Sequence, residues 1–237
     1  MAIRNLGAII NDTLRLRFVK EAFAKTGKRQ RLLDLGCGVK PFLPVYSQYT
    51  SESVGIDVEH SPHDVKVADL LYDGEHIPFP DQEFDVVFCT EVMEHVPEPA
   101  LFLQEIYRVL KPGGVVIMTT PFLVPLHEEP HDYYRYTRHG IHYLLNKTGF
   151  GNIEIEAFGE YFAVVIAFGV QIQLKFWNGV SKILGIKIIY SEWNPFVFLF
   201  VVLPQWLYLA LFSQRFMDRV RRRLSYTPRG YGYLAVK

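Results

Sequence analysis

The first 160 residues alternate between short apolar runs and longer stretches that carry apolar side chains on one helical face. The stretches 11–25, 99–110 and 137–147 have apolar residues at helical spacing, which predicts three helices. The short runs predict strands at 32–35, 53–57, 65–69, 84–89, 115–120 and 153–158, and a seventh run covers 231–236. Strands that alternate with helices predict an α/β fold with a parallel sheet wound on both faces.

The first predicted strand, 32–35, leads directly into Gly36, Cys37 and Gly38. Glycines at the carboxyl end of a strand let the backbone turn tightly and come close to a ligand. Asp34 lies inside this apolar strand, where a carboxylate is costly unless a partner satisfies it. The arrangement predicts a nucleotide-type pocket at the carboxyl end of the sheet, and a bound cofactor is one natural partner for Asp34.

Acidic residues stand at three successive strand ends, because Asp57 follows the second predicted strand and Asp69 the third. The carboxyl ends of the strands of an open α/β sheet line one crevice. Asp57 is placed there to accept hydrogen bonds from the hydroxyls of a ribose. Asp69 is placed to accept from an exocyclic amine while the Leu70 amide reaches a ring nitrogen. Aspartate also favours helix caps and turns, but three in register with a glycine turn favour the pocket.

A dinucleotide site is the competing interpretation of the glycine turn. That site requires G-x-G-x-x-G, in which the third glycine allows close packing of the following helix. Here Pro41 occupies the third glycine position. The proline disfavours a nicotinamide-dependent oxidoreductase.

Five short motifs follow one another along the chain. They are Leu33-Asp-Leu-Gly-Cys-Gly38, Val54-Gly-Ile-Asp57, Ile77-Pro-Phe-Pro-Asp-Gln-Glu-Phe-Asp85, Glu91-Val-Met-Glu-His-Val96 and Leu110-Lys-Pro-Gly-Gly114. In this order they resemble the motifs of class I S-adenosylmethionine-dependent methyltransferases, and they are most similar to the bacterial group called type 11. The resemblance covers about residues 30–158 and resumes at the last strand. It implies a Rossmann-like seven-stranded sheet with the last strand antiparallel, and S-adenosylmethionine as the cofactor and methyl donor.

The same resemblance implies roles for the residues that match these motifs. The turn from Gly36 to Gly38, which includes Cys37, passes under the methionine part of the cofactor. Asp57 holds the ribose, and Asp69 with Leu70 binds adenine. The segment from Cys89 to Glu91, at the end of the fourth strand, flanks the sulfonium.

The segment 125–137 supplies candidates for the methyl acceptor. It packs two histidines, three acids, three tyrosines and an arginine into one loop after the fifth strand. His127 or His131 is a candidate general base for removing a proton from the acceptor. Arg135 is a candidate ligand for an anionic group of the acceptor, beside Tyr134 and Tyr136.

Each of these candidates also has a structural interpretation. The Tyr134–Tyr136 segment could lock the loop onto the sheet, with Thr137 capping the next helix. His95 is interpreted first as a structural residue of the turn after the fourth strand. His127, His131 and Glu128 could form a metal cluster, but their irregular spacing favours a site without metal.

Charge divides the chain into two parts. Residues 1–160 carry 15 Lys and Arg against 23 Asp and Glu, whereas residues 161–237 carry 10 against 2. An acidic core and an apolar, basic remainder disfavour nucleic acid as a partner. The two cysteines, Cys37 and Cys89, indicate a reducing compartment, and residues 1–10 lack a secretory signal, so we expect a cytoplasmic location.

Residues 161–228 interrupt the methyltransferase domain, which comprises 1–160 and 229–237. The insertion includes 195–212, which has no charged residue, followed by five arginines within 215–223. A proline and a glutamine at mid-length disfavour a spanning helix, so we expect an interfacial helical pair on the inner, anionic face of the membrane. The alternatives are a helical lid over the pocket or a homodimer interface.

Three functions remain open at this stage. The leading one is methyl transfer to a small-molecule acceptor of the cell envelope, namely a lipid, a lipid-linked sugar or a saccharide. The second is a noncatalytic cofactor-binding protein at the membrane. The nicotinamide-dependent oxidoreductase is the least favoured of the three.

Overall fold

The computed structural model describes residues 9–59, 61, 66–159, 161–184, 199, 203–211 and 228–237. The chain forms two compact units, one made of Met1–Arg15 with Ala157–Arg229 and the other of Leu16–Glu156 with Gly230–Lys237. Among the described residues, no helix combines the length and the apolarity needed to cross a bilayer.

A seven-stranded sheet in the order β3-β2-β1-β4-β5-β7-β6 organises the fold. β1 pairs in parallel with β2 and β4, β4 pairs in parallel with β5, and β7 runs antiparallel to β5. The predicted Rossmann-like sheet with an antiparallel last strand is therefore confirmed. The strands are β1 Arg29–Leu35, β2 Thr50–Val58, β3 Leu70–Tyr72, β4 Phe84–Thr90, β5 Leu110–Pro121, β6 Gly151–Phe158 and β7 Gly230–Val236.

The helices begin and end where local chemistry places their caps. Pro99 begins α3, where its missing amide leaves no hydrogen bond unmade. The Thr137 side chain accepts a hydrogen bond from the Gly140 amide, which confirms the predicted cap of α4, and Gly149 ends that helix with a φ of +110°. The helices are α1 Ile9–Thr26, α2 Leu43–Tyr46, a 3₁₀ turn Met93–His95, α3 Pro99–Val109, α4 Arg138–Thr148, α5 Tyr161–Leu184 and α6 Leu203–Leu211.

The third strand was predicted wrongly at 65–69. The chain makes a turn at Lys66 and Val67, and β3 begins only at Leu70. Asp69 precedes the strand because it holds both backbone groups of Gly55: its amide donates to the Gly55 carbonyl at 2.8 Å, and its carboxylate accepts from the Gly55 amide at 2.7 Å. Asp69 thus anchors the start of β3 rather than following its end.

An apolar layer of α1 residues packs on the face of the sheet near β1 and β4. Phe23 contacts Tyr46 and Phe88, with ring centroids 6.2 and 5.4 Å apart. Gly232 on β7 is needed for this packing, because a Cβ there would lie 2.5 Å from the ring of Phe18. This core fixes β1 and β4, whose carboxyl ends carry the candidate site.

The insertion has two described helices, α5 and α6. Residues 161–184 form one continuous helix. Within the charge-free stretch 195–212 the structure describes only residue 199 and α6; its remaining residues, like the arginines of 215–223, lie outside the described residues.

Candidate active site

The turn after β1 forms a backbone cradle. Gly36 and Gly38 have φ values of +71° and +49°, the left-handed region in which glycine carries no steric cost. The amides of Gly36 and Cys37 both donate to the Ile56 carbonyl, at 2.9 and 3.1 Å. A Cβ on Gly36 would lie 2.3 Å from a methyl group of Val92, so the turn accepts only glycine there without movement.

Asp57 joins this cradle to the end of β2. Its Oδ2 accepts a hydrogen bond from the Gly38 amide at 2.7 Å, and its Oδ1 accepts from the Val58 amide at 2.8 Å. Each carboxylate oxygen keeps a further lone pair. The side chain is therefore held rigidly and can still accept from a diol.

Asp34 is satisfied by the protein itself. It is 4% exposed, and its Oδ2 accepts a hydrogen bond from the Tyr46 hydroxyl at 3.0 Å. Burial raises the pKa of the Asp34 carboxyl to about 7. Its partner in this structure is thus a tyrosine on α2, where the sequence suggested a cofactor.

Lys40 is a site residue that the sequence did not reveal. Its ammonium donates to the Asp69 carboxylate at 2.6 Å, the same oxygen that accepts from the Gly55 amide. Burial opposes ionisation of Asp69, but the Gly55 and Lys40 hydrogen bonds outweigh it and lower the Asp69 pKa. The side chain of Leu70, which begins β3, is exposed beside this pair.

Both cysteines of the site are buried neutral thiols. Burial raises the pKa of Cys37 to about 12 and raises the pKa of Cys89 well above its ordinary value. Neither thiol supplies a thiolate at neutral pH. Any contact of Cys37 and Cys89 with a cofactor therefore falls to their backbone or to an uncharged sulfur.

Glu91 occupies a strained position directly after β4. Its φ is +54°, its amide donates to the Thr119 carbonyl at 2.9 Å, and its Oε1 accepts from the Thr119 hydroxyl at 2.8 Å. Left-handed backbone at a non-glycine residue costs free energy and clusters at functional sites. β5 thus fixes Glu91 at the edge of the crevice.

Arg135 is engaged within its own loop. Its two terminal nitrogens bind the two oxygens of Asp132, at 2.5 and 2.7 Å, and it also donates to the carbonyls of Val124, Pro125 and Tyr134. The Arg135 hydrogen bond lowers the pKa of Asp132 to about 2. These contacts favour the interpretation in which Arg135 holds the loop together.

The two neighbouring tyrosines fasten the same loop to the 3₁₀ turn. The Tyr136 hydroxyl donates to the Met93 carbonyl at 3.1 Å, and the Tyr134 hydroxyl donates to the Pro97 carbonyl at 3.0 Å. The amides of Tyr133 and Tyr134 both donate to the Glu94 carbonyl, at 2.9 and 3.2 Å. The loop after β5 is thereby brought against the turn after β4.

The two candidate bases have different surroundings. His131 is exposed, and its Nδ1 lies 3.1 Å from the Tyr133 hydroxyl. His127 is half-buried, its Nδ1 lies 3.3 Å from an Asp132 oxygen, and its Nε2 lies 4.0 Å from Oε1 of Glu94. Of the two histidines, His127 is the one that approaches Glu94, in the turn after β4.

Glu94 is the most deeply buried acid of this region, and the sequence analysis did not single it out. It is 0% exposed, and neither of its carboxylate oxygens has a hydrogen-bond partner among the described residues. Burial, reinforced by the charge of Glu91, raises the Glu94 pKa well above its ordinary value. His95 completes the group, with Nε2 3.7 Å from Oε1 of Glu94. We call these residues the Glu94–His95–His127 cluster.

The comparisons with known proteins agree with this geometry. Residues 33–118 match the family model described as Methyltransferase domain. A ubiquinone biosynthesis O-methyltransferase from Pseudomonas entomophila is 31% identical over 120 residues, which are 46% of this chain and 51% of that protein. The chain therefore matches about half the length of such curated relatives.

Solved structures share the fold at low sequence identity. A SAM-dependent methyltransferase from Archaeoglobus fulgidus has a TM-score of 0.55 at 18% identity, with 97% of this chain and 98% of that chain covered. Haemonchus contortus phosphoethanolamine N-methyltransferase 2, in complex with S-adenosyl-L-methionine, has a TM-score of 0.54 at 22% identity, with 94% and 52% covered.

Residues 33–118 therefore carry a methyltransferase domain, and the seven-stranded sheet has the fold of solved SAM-dependent methyltransferases. The expected resemblance is confirmed for residues 33–118, and S-adenosylmethionine is the cofactor that it implies.

Proposed function

We propose that this protein transfers the methyl group of S-adenosylmethionine to a hydroxyl oxygen of a small-molecule acceptor with a large apolar part. The observation that carries the proposal is the position of the Glu94–His95–His127 cluster. The cluster lies just after the carboxyl ends of β4 and β5. β4 pairs with β1, and the cofactor cradle follows β1. The name of the curated O-methyltransferase relatives supports oxygen as the atom methylated.

Methyl transfer requires little from the protein beyond alignment and exclusion of water, because the sulfonium leaves as a neutral thioether. The acceptor hydroxyl must lose a proton, and a positioned side chain accelerates that step. His127 is the better placed of the two candidate bases, since it faces the cluster whereas His131 faces solvent and Tyr133. Asp57 is proposed to hold the ribose, and Asp69 with Leu70 the adenine.

An apolar acceptor is suggested by the second unit of the chain. α5 exposes apolar side chains at helical spacing on one face: Val165, Phe168, Ile172 and Phe176. A continuous exposed apolar stripe on a helix marks an interaction surface. We propose that this stripe and the arginines of 215–223 contact an anionic membrane surface, which places the enzyme beside an envelope lipid or a lipid-linked saccharide.

The test is product identification. The purified protein is incubated with methyl-labelled S-adenosylmethionine and with separate lipid and water-soluble extracts of bacterial cells, and labelled products are analysed by mass spectrometry. Label in the lipid fraction, resistant to mild base as an ether is, supports the proposal. Label confined to soluble amines contradicts both the atom and the acceptor class.

A noncatalytic cofactor-binding protein is the second candidate. The left-handed Glu91 and the unpartnered carboxyl of Glu94, among the described residues, favour catalysis over it, because simple binding does not require such costly groups. It would be supported by tight cofactor binding without labelled product in any extract.

A further inference from the structure

The Glu94–His95–His127 cluster brings lone pairs together. Nε2 of His95 lies 3.7 Å from Oε1 of Glu94 and 3.6 Å from Oε2 of Glu128, and Nε2 of His127 lies 4.0 Å from the same Glu94 oxygen. No hydrogen bond joins the two carboxylate oxygens of Glu94 to any described residue. The Glu94 oxygens therefore need a partner that lies between them and the two histidine nitrogens.

The partner of the second ring nitrogen fixes the tautomer of His95. Its Nδ1 lies 2.9 Å from the His131 carbonyl, which only accepts, so this nitrogen carries the proton in the neutral ring. The Nε2 lone pair of His95 therefore faces the carboxylates of Glu94 and Glu128. Nδ1 of His127 lies 3.3 Å from the Pro125 carbonyl and 3.4 Å from a nitrogen of Arg135, and its Nε2 faces Glu94.

We propose that this cluster binds a divalent transition-metal ion of the Zn²⁺ type through Glu94, His95 and His127. One ligand atom from each of the three residues lies within 4.8 Å of the others. Ligand atoms about 2.1 Å from a tetrahedral zinc ion are roughly 3.4 Å apart, so a small contraction closes the shell. The cation supplies the positive charge that the buried Glu94 carboxylate lacks.

The surroundings of the two histidines support a metal site. Histidines that bind metals usually donate their second ring N–H to a carbonyl or a carboxylate, which fixes the ring. His95 does so with the His131 carbonyl. Nδ1 of His127 lies within hydrogen-bond distance of the Pro125 carbonyl, and the Asp132 carboxylate holds the His127 backbone amide. Two imidazoles with a carboxylate suit zinc and neighbouring metals, whereas Mg²⁺ and Ca²⁺ prefer oxygen ligands throughout.

The three side chains of the cluster differ in solvent exposure, so the cluster is open on the side of the histidines. Glu94 is fully buried, whereas the side chains of His95 and His127 are 16% and 32% exposed. An ion held by three protein ligands keeps a position for an oxygen from outside. In the metal-bound site His127 is a ligand rather than a free base, and the ion would instead acidify the acceptor hydroxyl. That role of the ion rests on the proposed methyl transfer, but the binding of the ion does not.

The experiment measures metal binding by the full chain. The protein is stripped with a chelator, dialysed and titrated calorimetrically with ZnCl₂, and with MgCl₂ as the comparison cation. We expect one equivalent of Zn²⁺ to bind and to raise the melting temperature. Glu94→Gln and His127→Ala should each weaken binding by at least about tenfold, since the loss of even an outer partner has that effect.

Two matched histidine variants serve as controls. His142→Ala removes an exposed histidine of α4, and His131→Ala removes the neighbour of His127 while keeping the backbone carbonyl that His95 contacts. Both should bind Zn²⁺ as the parent does, and circular dichroism verifies that every variant is folded. His127 is partly exposed, so its substitution remains informative if Glu94→Gln disturbs the core.

Two results would overturn the inference. If the parent binds no Zn²⁺, the cluster is not a metal site. If His127→Ala binds Zn²⁺ as tightly as the parent, the zinc is held elsewhere and His127 keeps only the role of a base. Neither result depends on methyl transfer, so a failure here leaves the proposed function open to its own test.

Discussion

Neighbouring acids of the site differ in chemistry because their partners differ. Asp57 receives two backbone amides and Asp69 an amide and an ammonium, whereas Asp34 receives one tyrosine hydroxyl. The sequence predicted all three at one edge of the sheet from their spacing. It could not reveal Tyr46, because the contact depends on how α2 folds back onto β1.

Glu94 was missed for a related reason. In the sequence it is one acid of Glu91-Val-Met-Glu94-His95, a pattern that equally suits an exposed turn. Its burial arises because the loop of Tyr133–Tyr136 is hydrogen-bonded onto the 3₁₀ turn, and that loop is about 40 residues away in sequence. The pairing of β4 with β5 brings the two segments together.

Asp57→Ala should weaken S-adenosylmethionine binding by about 1–3 kcal/mol, because it removes both the proposed ribose acceptor and the acceptor of the Gly38 amide. Calorimetric titration of the cofactor measures the change. The S-adenosylmethionine affinity of Asp57→Asn, which keeps one carbonyl oxygen, should lie between that of Asp57→Ala and that of the parent. Unchanged affinity in Asp57→Ala would place the ribose elsewhere.

Asp34→Asn should alter how stability depends on pH. The folded carboxyl has a pKa of about 7 against an ordinary value of 3.8, so the folded protein retains a proton that the unfolded chain has lost between these values. The contribution of Asp34 to the free energy of unfolding therefore falls as pH rises to 7 and is constant above it.

Urea denaturation at pH 5 and pH 8 checks this sign. The free energy of unfolding of Asp34→Asn, measured relative to the parent, should be roughly 3 kcal/mol higher at pH 8 than at pH 5. The reason is that about two pH units of this interval lie below the folded pKa. The neutral amide can still accept from Tyr46. A difference between the proteins that does not change with pH would mean that Asp34 is ionised in the folded protein.

His127→Ala should slow methyl transfer by about 10²–10⁴-fold, and His131→Ala should have a smaller effect, because only His127 faces Glu94. Single-turnover rates with saturating cofactor measure the chemical step. Cofactor affinity serves as the control and should be unchanged in both variants. Equal rates for both variants and the parent would move proton removal to another group.

At the scale of elements, the strands and helices from β4 to α4 were predicted closely except for the start of β5, because caps and apolar spacing agree there. The prediction of β3 was wrong. The run 65–69 has the composition of a strand, but the side chain of Asp69 accepts from the Gly55 amide and the Asp69 amide donates to the Gly55 carbonyl. β5 begins earlier than predicted, at Leu110, because the chain from Lys111 to Gly114 continues into the strand instead of only ending α3. Local sequence does not encode such competition.

The turn after β1 can be tested with two glycines that share one backbone conformation. Gly27 and Gly36 both have a φ of +71°, but a Cβ on Gly27 meets no described atom within 4 Å, whereas one on Gly36 lies 2.3 Å from Val92. Gly27→Ala should cost about 1–2 kcal/mol, the strain of the left-handed region alone. Gly36→Ala should cost roughly 1–3 kcal/mol more from overpacking and should also weaken cofactor binding.

Urea denaturation measures both glycine variants. Adding Val92→Ala should recover part of the excess loss in Gly36→Ala and none of the loss in Gly27→Ala. Equal costs for the two glycines would mean that the turn shifts freely and that its shape does not depend on Val92.

At the scale of the whole molecule, the sequence predicted the sheet unit because each local signal agreed with its neighbours. Residues 161–214 carry only four charged side chains. Their hydrophobic pattern alone therefore could not separate a membrane surface from a lid or a dimer interface. The exposed face of α5 adds the observation that apolar side chains recur at positions 165, 168, 172 and 176. That face and the arginines of 215–223 have the chemistry of an interfacial membrane contact.

The membrane proposal is tested with substitutions on the full chain. The parent should sediment with vesicles that contain phosphatidylglycerol and less with phosphatidylcholine alone, because each arginine near an anionic surface contributes about 1 kcal/mol. Ile172→Glu with Phe176→Glu should lower binding to both vesicles, since these side chains are 66% and 61% exposed and would carry charge into the interface. Replacing Arg221, Arg222 and Arg223 by Gln should lower only the binding to anionic vesicles, by roughly tenfold or more. Leu101→Glu, an exposed site on α3 of the sheet unit, is the matched control and should bind as the parent does. A double glutamate variant that sediments like the parent would assign the α5 face to a lid or to a second copy of the chain, and size-exclusion chromatography of the parent would separate those two.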